Sequence, residues 1–434
     1  MDVKRNWNSL FDQKSEGTKL MDKSMTESIH KRLWLPQSLT DTSEETAQLG
    51  VDHSRMELLQ LTTLLLKYYS GMIEEYRKDV IKFGWNYIKL EDIINKYAAY
   101  VLVAFFIAVY ETPKKIAAHT YQSLLKAHQN EGRSLVMQAL ELMAPVLRKR
   151  MGGGERMPLW IQHPRKILSE ESSNLQQLMS IFNFVVRHPD LFYEGREHLS
   201  PIIITALSKI AQPPNPSTDA KKLALNLISL IRRWEDRTAT EAAAGGERTS
   251  LSPTASKRRA DGSIIPPGPL PKEFVAQAPT RMMLVKYLIQ FIAYLPERFP
   301  VNSPTPKDLA VATPTPQAAE TCRKAVQLLH DLLSPRLWND LDLDLMLSKK
   351  IEEILLAEMK QDDKAEVFTT RMINTLQIVK IIVNVKPDEW VLQRLPVFQK
   401  ILEKAIRSES ADVQASLHAA VSYTHLTLPT ICSV

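Results

Sequence analysis

The stretch Leu223-Ala-Leu-Asn-Leu-Ile-Ser-Leu-Ile-Arg-Arg-Trp234 decides the fold class of this chain. Its large apolar side chains recur at positions i, i+4, i+7, i+8 and i+11. In an α-helix, which has about 3.6 residues per turn, these positions form one continuous stripe. The segment is therefore predicted to be an amphipathic helix that buries one face.

Apolar residues at helical spacing recur on both sides of this segment. The same spacing returns at Leu284, Leu288, Phe291, Ile292 and Leu295, and a close variant is found at Val136, Leu140, Met143 and Leu147 and at Met372, Leu376, Val379 and Val383. A shorter stripe is formed by Leu175, Leu178, Met179 and Phe182. No strand-like alternation between Asn-Gly or Asp-Gly turns accompanies them. The chain is therefore predicted to be helical from about residue 51 onward.

Capping residues predict where the central helices begin and end. Ser173, with Gln176 three residues later, has the form of a capping box, and His188-Pro189 is predicted to end that helix. Ser200-Pro201 is predicted to start the next helix, and Ser217 the helix after it. Successive starts lie about 20 residues apart, or about 40 per helix pair, which is the period of HEAT and armadillo-like repeats. The predicted fold is an all-α, HEAT/armadillo-like α-solenoid.

The longest apolar run is Ala98-Ala-Tyr-Val-Leu-Val-Ala-Phe-Phe-Ile-Ala-Val-Tyr110. A helix that crosses the hydrocarbon core of a membrane needs about 20 apolar residues, so this run is too short. It is predicted to be a helix that is buried on all sides.

Composition divides the chain into five predicted segments. Residues 238–280 are rich in Ala, Gly, Ser and Pro, which is typical of a flexible linker. The segments are a weakly ordered N-terminal remnant at 1–50, helical repeats at 51–237, the linker at 238–280, helical repeats at 281–420 with a Pro-rich loop at 300–316, and a C-terminal segment at 421–434.

The segment 421–434 leaves the apolar period of the residues before it. It resembles the translation of a transposase-type sequencing adapter and is interpreted as an assembly scar. The natural protein is then expected to continue past Ala420 into other sequence.

Charge and cysteine content limit the class of protein. The net charge of +6 over 434 residues is smaller than expected for a domain that binds nucleic acid through a basic face, and it favours acidic protein partners. Two cysteines, Cys322 and Cys432, are typical of a reducing compartment. No apolar segment follows the basic residues at the N-terminus, so a cytosolic or nuclear protein is predicted, without a membrane partner.

The usual catalytic motifs are absent from the sequence: it has no P-loop, no GxGxxG, no GxSxG nucleophile elbow and no HExxH zinc pair. His119 and His128 flank one predicted helix, but nine residues of spacing place them on opposite sides. No catalytic residue, metal site or cofactor is therefore predicted.

Two short basic clusters were weighed as functional sites. Arg148-Lys149-Arg150 precedes Gly152-Gly-Gly154, so these cations are expected to cap the C-terminus of a helix. Lys257-Arg258-Arg259 lies in the predicted linker beside Ser252-Pro253. It is a candidate nuclear-localisation signal, with Ser252 as a candidate phosphorylation site; the alternative is that these charges only keep the linker soluble.

Several segments resemble one known family. They include Arg77-Lys-Asp-Val-Ile-Lys-Phe-Gly-Trp-Asn-Tyr-Ile88, Tyr110-Glu-Thr-Pro113, Gln138-Ala-Leu-Glu-Leu-Met-Ala-Pro-Val-Leu147 and Arg233-Trp-Glu235. These look like the HEAT region of the TRRAP-type scaffolds, pseudokinase members of the phosphatidylinositol-3-kinase-related kinases, and cover about residues 55–237. The resemblance implies a nuclear subunit of SAGA-type and NuA-type histone acetyltransferase complexes that contacts transcription activators and lacks phosphotransfer activity.

Two other readings of a helical-repeat chain stay open. A nuclear-transport receptor is also built from HEAT repeats, although such receptors resemble acidic cargo-binders and this chain is basic. An active lipid- or protein-kinase relative would carry its metal-binding Asp and Asn residues beyond Ala420. Sequence-specific binding of nucleic acid is not expected.

Overall fold

The computed structural model describes residues 21–35, 49–127, 131–152, 157–170, 174–211, 216–248, 278–295, 316–333, 365–393 and 395–427. The chain divides into two compact units, Met1–Gly195 and Arg196–Val434. Every regular element within the described ranges is a helix, so the predicted all-α class is confirmed.

The first unit contains ten α-helices in its described residues. They are α1 (Lys23–Ile29), α2 (Leu49–Tyr69), α3 (Arg77–Ile88), α4 (Ile93–Val109), α5 (Lys114–Lys126), α6 (Arg133–Met143), α7 (Leu147–Met151), α8 (Leu159–Glu170), α9 (Leu175–Arg187) and α10 (Pro189–Phe192).

The second unit contains eight α-helices in the part that the structure describes. They are α11 (Arg196–Ala211), α12 (Thr218–Arg248), α13 (Ala278–Ala293), α14 (Pro316–Leu333), α15 (Ala365–Val385), α16 (Asp388–Gln393), α17 (Leu395–Ile406) and α18 (Ala411–Thr427).

Helix α4 forms the centre of the first unit. It packs against α2, α3, α5 and α6, and its side chains from Tyr97 to Ala104 are all buried. The prediction that the run Ala98–Tyr110 is buried on all sides is therefore confirmed over Ala98–Ala104, whereas Val109, near the end of the run, is 38% exposed. Gly84 of α3 lets the two helices approach closely, because a Cβ atom there would lie 3.1 Å from Val103 Cγ2 of α4.

The predicted apolar stripes form the cores of both units. In α12, Leu223, Leu227, Leu230, Ile231 and Trp234 are all at most 4% exposed. Leu175 and Val383 depart from the prediction: Leu175 begins α9 and is 36% exposed, and Val383 of α15 is half-buried. The pattern therefore predicted which side of each helix is buried. Whether the first or last residue of a stripe is also buried depends on how far the neighbouring helix extends.

A proline inside α8 is accommodated by a side chain from α5. Pro164 has no N–H to donate to the carbonyl oxygen of Trp160, four residues earlier. The hydroxyl of Tyr121 donates to that oxygen instead, at 3.1 Å. Tyr121 is fully buried, and burial raises its pKa well above the ordinary value, so the hydroxyl keeps the proton that it donates.

Residues 21–35 correct the prediction of a weakly ordered N-terminal remnant at 1–50. Helix α1 leads into a π-helical turn, His30–Trp34, which lies against α3. Trp34 is 2% exposed, and its indole N–H donates to Thr62 Oγ1 of α2 at 3.2 Å. The segment was missed because a single buried indole, rather than a repeated stripe, docks it onto the core. The rest of 1–48 lies outside the described residues.

Two predicted helix starts were wrong. Asn174, rather than Ser173, caps α9, and its side chain accepts from the backbone N–H of Gln177. Ser200-Pro201 lies inside α11, where the Ser200 hydroxyl donates to the Arg196 carbonyl at 2.7 Å. The predicted cap Ser217 is confirmed, since its hydroxyl accepts from the N–H of Ala220 at 3.2 Å. All of these residue types can cap a helix, so the sequence alone does not choose between neighbours.

Helix α12 extends into the predicted linker 238–280. Thr238 is buried, and its hydroxyl donates to the carbonyl of Trp234 at 2.8 Å within the helix. The alanines of residues 239–244 favour this extension, and the helix continues past Gly245 and Gly246 to Arg248. The remainder of the linker, 249–277, lies outside the described residues, as does the Pro-rich loop over 300–315.

The helices on the two sides of that predicted linker belong to one unit, which begins at Arg196. Helix α12 packs against α14, and Arg232 forms an ion pair with Asp331. The predicted division into repeats at 51–237 and 281–420 therefore differs from the structural division. The apolar face of α12 requires a partner, and α11 and α14 together supply it.

Helix α18 also extends past Ala420, where the helical period was expected to stop, and ends at Thr427. The residues after Thr427 lie outside the described part of the chain. A helix over 421–427 is compatible with either origin of the sequence, so the assembly scar at 421–434 stays a prediction.

We expect the substitution Leu102→Ala to lower the free energy of unfolding by about 2–5 kcal/mol, because Leu102 is 1% exposed in the centre of the first unit. Val109→Ala, at the 38%-exposed end of the same helix, is the matched control and should cost less than about 1 kcal/mol. Urea unfolding followed by circular dichroism measures both. Equal losses would show that α4 is not the centre of the core.

Candidate functional site

The predicted linker site lies outside the described residues. This applies to Lys257, Arg258 and Arg259 and to the candidate phosphorylation site Ser252. Both stay predictions. His128 is likewise outside the described ranges, whereas His119 lies on α5.

The described residues contain no group of three or more His, Cys, Asp or Glu side chains placed to hold a metal ion. Within the same residues, no helix is both long and apolar enough to cross a membrane.

Arg148-Lys149-Arg150 ends α7 before Gly152, as predicted, but the two arginines act between helices. Arg150 Nε donates to the carbonyl oxygen of Ile107 at 3.0 Å, in the last turn of α4. The last four carbonyl groups of a helix have no partner within it, so Arg150 satisfies one of these groups on the central helix. Arg148 donates to the carbonyl oxygen of Asp190 in α10 at 2.5 Å. Arg148 and Arg150, which were expected to cap α7, thus bind carbonyl groups of two other helices, α10 and α4.

A small cavity lies in the second unit among α15, α16, α17 and α18, with a volume of about 90 Å³. Most of its lining is aliphatic, together with the ring of Phe398, and Lys380 and Asp388 are its charged members. Binding sites for small molecules are usually several times larger and have converging polar groups. The cavity is therefore better explained by the packing of four helices than by a ligand.

Exposed lysines form a charged surface on two neighbouring helices of the first unit. Lys78 and Lys82 on α3, and Lys89 at its C-terminal cap, are exposed at spacings of four and seven residues. At 100° per residue they fall within an arc of about 40° on one side of the helix. Trp85 is half-buried at the edge of this arc, about 20° from Lys78 by the same count.

Helix α5 carries a similar stripe beside it. Lys115, His119 and Lys126 are exposed at spacings of four and seven residues. The His119 ring contacts the Trp85 ring, with centroids 5.8 Å apart and planes inclined by 54°. This contact joins the two stripes near the middle of each. We name the five lysines of the two stripes, Lys78, Lys82, Lys89, Lys115 and Lys126, the lysine face.

Carboxylates flank the lysine face at the ends of both helices. Exposed Glu74 and Glu75 precede α3, and Glu91 follows it. Exposed Glu111 precedes α5, and Glu131 follows it. Neither stripe contains a carboxylate of its own. The positive region is therefore limited to the length of the two helices.

The lysine face was missed because only contiguous basic residues were considered as sites. The spacing of Lys78, Lys82 and Lys89 could have identified the α3 stripe, since it follows the helical period. The position of the second stripe beside the first could not have been found from spacing, because it depends on the packing of α3 and α5 on α4.

Residues 4–431 match the model described as the Tra1 HEAT repeat ring region. The chain is 29% identical over 394 residues to the SAGA complex/NuA4 acetyltransferase complex subunit TRA1 of Saccharomyces cerevisiae, which covers 90% of the chain and 10% of that protein. The Tra1 subunit of Schizosaccharomyces pombe, which carries the same complex names, is 27% identical over 403 residues, or 92% of the chain and 10% of that protein.

The human transformation/transcription domain-associated protein is 29% identical over 241 residues, covering 51% of the chain and 6% of that protein. The chain thus spans about a tenth or less of the length of these relatives. The family match confirms the predicted HEAT-repeat solenoid and the resemblance to the TRRAP-type scaffolds.

We expect Arg150→Met to lower the free energy of unfolding by about 1.5–3 kcal/mol, because it removes a charged donor from the Ile107 carbonyl. The control Lys149→Met makes the same change in charge at an exposed neighbour and should stay within about 0.5 kcal/mol. Chemical unfolding of the two variants measures the difference. If both variants lose the same amount, the effect comes from charge and not from the contact with α4.

Proposed function

Because this chain belongs to the Tra1 HEAT repeat ring family, we propose that it is part of a non-catalytic scaffold subunit of SAGA-type and NuA-type histone acetyltransferase complexes. In this role, the surfaces of its helical repeats bind proteins, among them acidic transcription activators and other subunits of the complex. The protein acts in the nucleus.

One observation carries this proposal: a helical-repeat chain matches, along 90% of its length, a protein named as a subunit of two acetyltransferase complexes. Repeat proteins of this kind expose extended surfaces because each repeat contacts mainly its neighbours. Large exposed surfaces suit a subunit that binds several proteins at once.

The polar pairs between helices support a structural rather than a chemical role. His30 Nε2 lies 2.8 Å from Asp79 Oδ2, and its ring stacks on that of Tyr76 at 4.3 Å, which holds the N-terminal segment on α3. His188 Nε2 lies 2.8 Å from Glu141 Oε2 and joins the end of α9 to α6. The His188 ring also lies 4.9 Å from the ring of Phe184 in α9, so each imidazole has both an aromatic and a carboxylate neighbour.

Affinity purification of the intact protein, tagged in its own cells, tests the proposal. We expect mass spectrometry to find subunits of an acetyltransferase complex and the eluate to acetylate histones. A matched purification of an unrelated tagged HEAT-repeat protein is the control. Transport factors and their cargo would instead indicate a transport receptor, and phosphotransfer by the purified protein would indicate an active kinase relative.

Nuclear entry is expected to depend in part on Lys257-Arg258-Arg259. Residues 248–264 fused to a fluorescent protein should shift it partly into the nucleus, because a basic cluster in a linker is accessible to a transport receptor. Changing all three residues to alanine should abolish the shift, as fluorescence microscopy would measure. If the unmutated fusion distributes evenly, the cluster only keeps the linker soluble.

A further inference from the structure

We propose that the lysine face binds a short acidic helical peptide, about three turns long, with an aromatic side chain near its middle. This inference rests on the proposed function, because it assigns one partner class to one surface of the scaffold. Three features of α3 and α5 support it: unbalanced charge, limited length and an aromatic contact at the centre.

Four of the five lysines of the lysine face have no carboxylate partner close by in the described part of the chain. Among the described residues, Lys78, Lys82, Lys89 and Lys115 have no carboxylate within ion-pair distance. Like charges at helical spacing repel one another, and α5 contains no acidic residue that could offset them. An anionic partner would remove this repulsion, so the surface favours binding of negative charge.

The length of the face limits the size of that partner. Eleven residues separate Lys78 from Lys89 and Lys115 from Lys126, so each stripe spans about 16 Å, or three helical turns. Glu74 and Glu91 lie at the two ends of the α3 stripe. A long polyanion such as a nucleic-acid strand would have to pass these carboxylates, whereas a three-turn acidic peptide fits between them.

The centre of the face offers an apolar contact. Trp85 is half-buried, and the exposed ring of His119 packs against it with a centroid distance of 5.8 Å. An aromatic side chain on the peptide could pack on the remaining open surface of the indole. Exposed ion pairs contribute little each, so this contact is what would distinguish a matching peptide from any other anion.

The experiment measures fluorescence anisotropy of a labelled synthetic helical peptide of about 12 residues, which carries carboxylates on one face and a central Phe, with the full 434-residue chain. Binding should weaken as salt rises from about 50 to about 300 mM. Lys82→Glu with Lys115→Glu should raise the Kd about tenfold or more. The matched control, Lys166→Glu with Lys404→Glu, reverses two exposed lysines elsewhere and should change the Kd less than about twofold.

The aromatic contact has its own test. Trp85→Ala should weaken the Phe peptide several-fold more than a peptide in which Phe is replaced by Ala, while Trp85→Phe should largely restore the difference. Thermal unfolding of every variant verifies that it is folded. This coupling between two positions is not produced by a general loss of stability.

The proposal is overturned if Lys82→Glu with Lys115→Glu binds the peptide like the control pair. It is also overturned if a single-stranded oligonucleotide of equal charge binds the face more tightly than the peptide, since the surface would then be one for nucleic acid. Purifying intact protein with these two substitutions separates this inference from the proposed function. If the variant recovers acetyltransferase subunits normally but has lost peptide binding, both the proposed function and this inference are supported. If the unmutated protein binds the peptide but recovers no such subunits, only this inference is supported.

Discussion

Helix α4 must be covered on every side, and the arrangement of the first unit depends on this constraint. The side chains from Tyr97 to Ala104 are buried on every side of the helix. Helices α2, α3, α5 and α6 surround it and supply the apolar contacts. The buried ends of such a helix also need partners for their backbone groups. The Asp92 carboxylate accepts from the N–H of Asn95 at one end, and Arg150 donates to the carbonyl of Ile107 at the other.

The same constraint fixes the surface outside. Helices α3 and α5 both pack on α4, which places them as neighbours on the same central helix. The contact between Trp85 and His119 follows from that arrangement. Charge that is dispersed along the sequence is thereby gathered into one region, while the contiguous cluster at 148–150 is largely used for contacts between helices. For this reason, a run of adjacent basic residues in the sequence did not predict which part of the surface carries exposed positive charge.

How much could be predicted depended on whether a feature is repeated along the chain. The stripe from Leu223 to Trp234 repeats a pattern every turn, so its burial was predictable residue by residue. A cap is a single hydrogen bond, and Ser173 and Asn174 both have a side-chain oxygen that can accept it, so the sequence does not choose between them. The end of α12 was missed for a different reason: the apolar pattern stops near Trp234, but the helix continues to Arg248 through alanines that favour it and past Gly245 and Gly246, which do not. Docking of Trp34 under Thr62 left no periodic signal at all.

The pair of Tyr121 and Pro164 has a consequence for how this sequence can diverge. The hydroxyl of Tyr121 is required because residue 164 has no N–H, so loss of the hydroxyl leaves the Trp160 carbonyl buried without its donor. If residue 164 first becomes a non-proline residue, its N–H can serve that carbonyl, and Phe at 121 is then tolerated. The two positions, 43 residues apart, are therefore epistatic. Replacing Pro164 first and Tyr121 second is tolerated, whereas the reverse order passes through a destabilised protein.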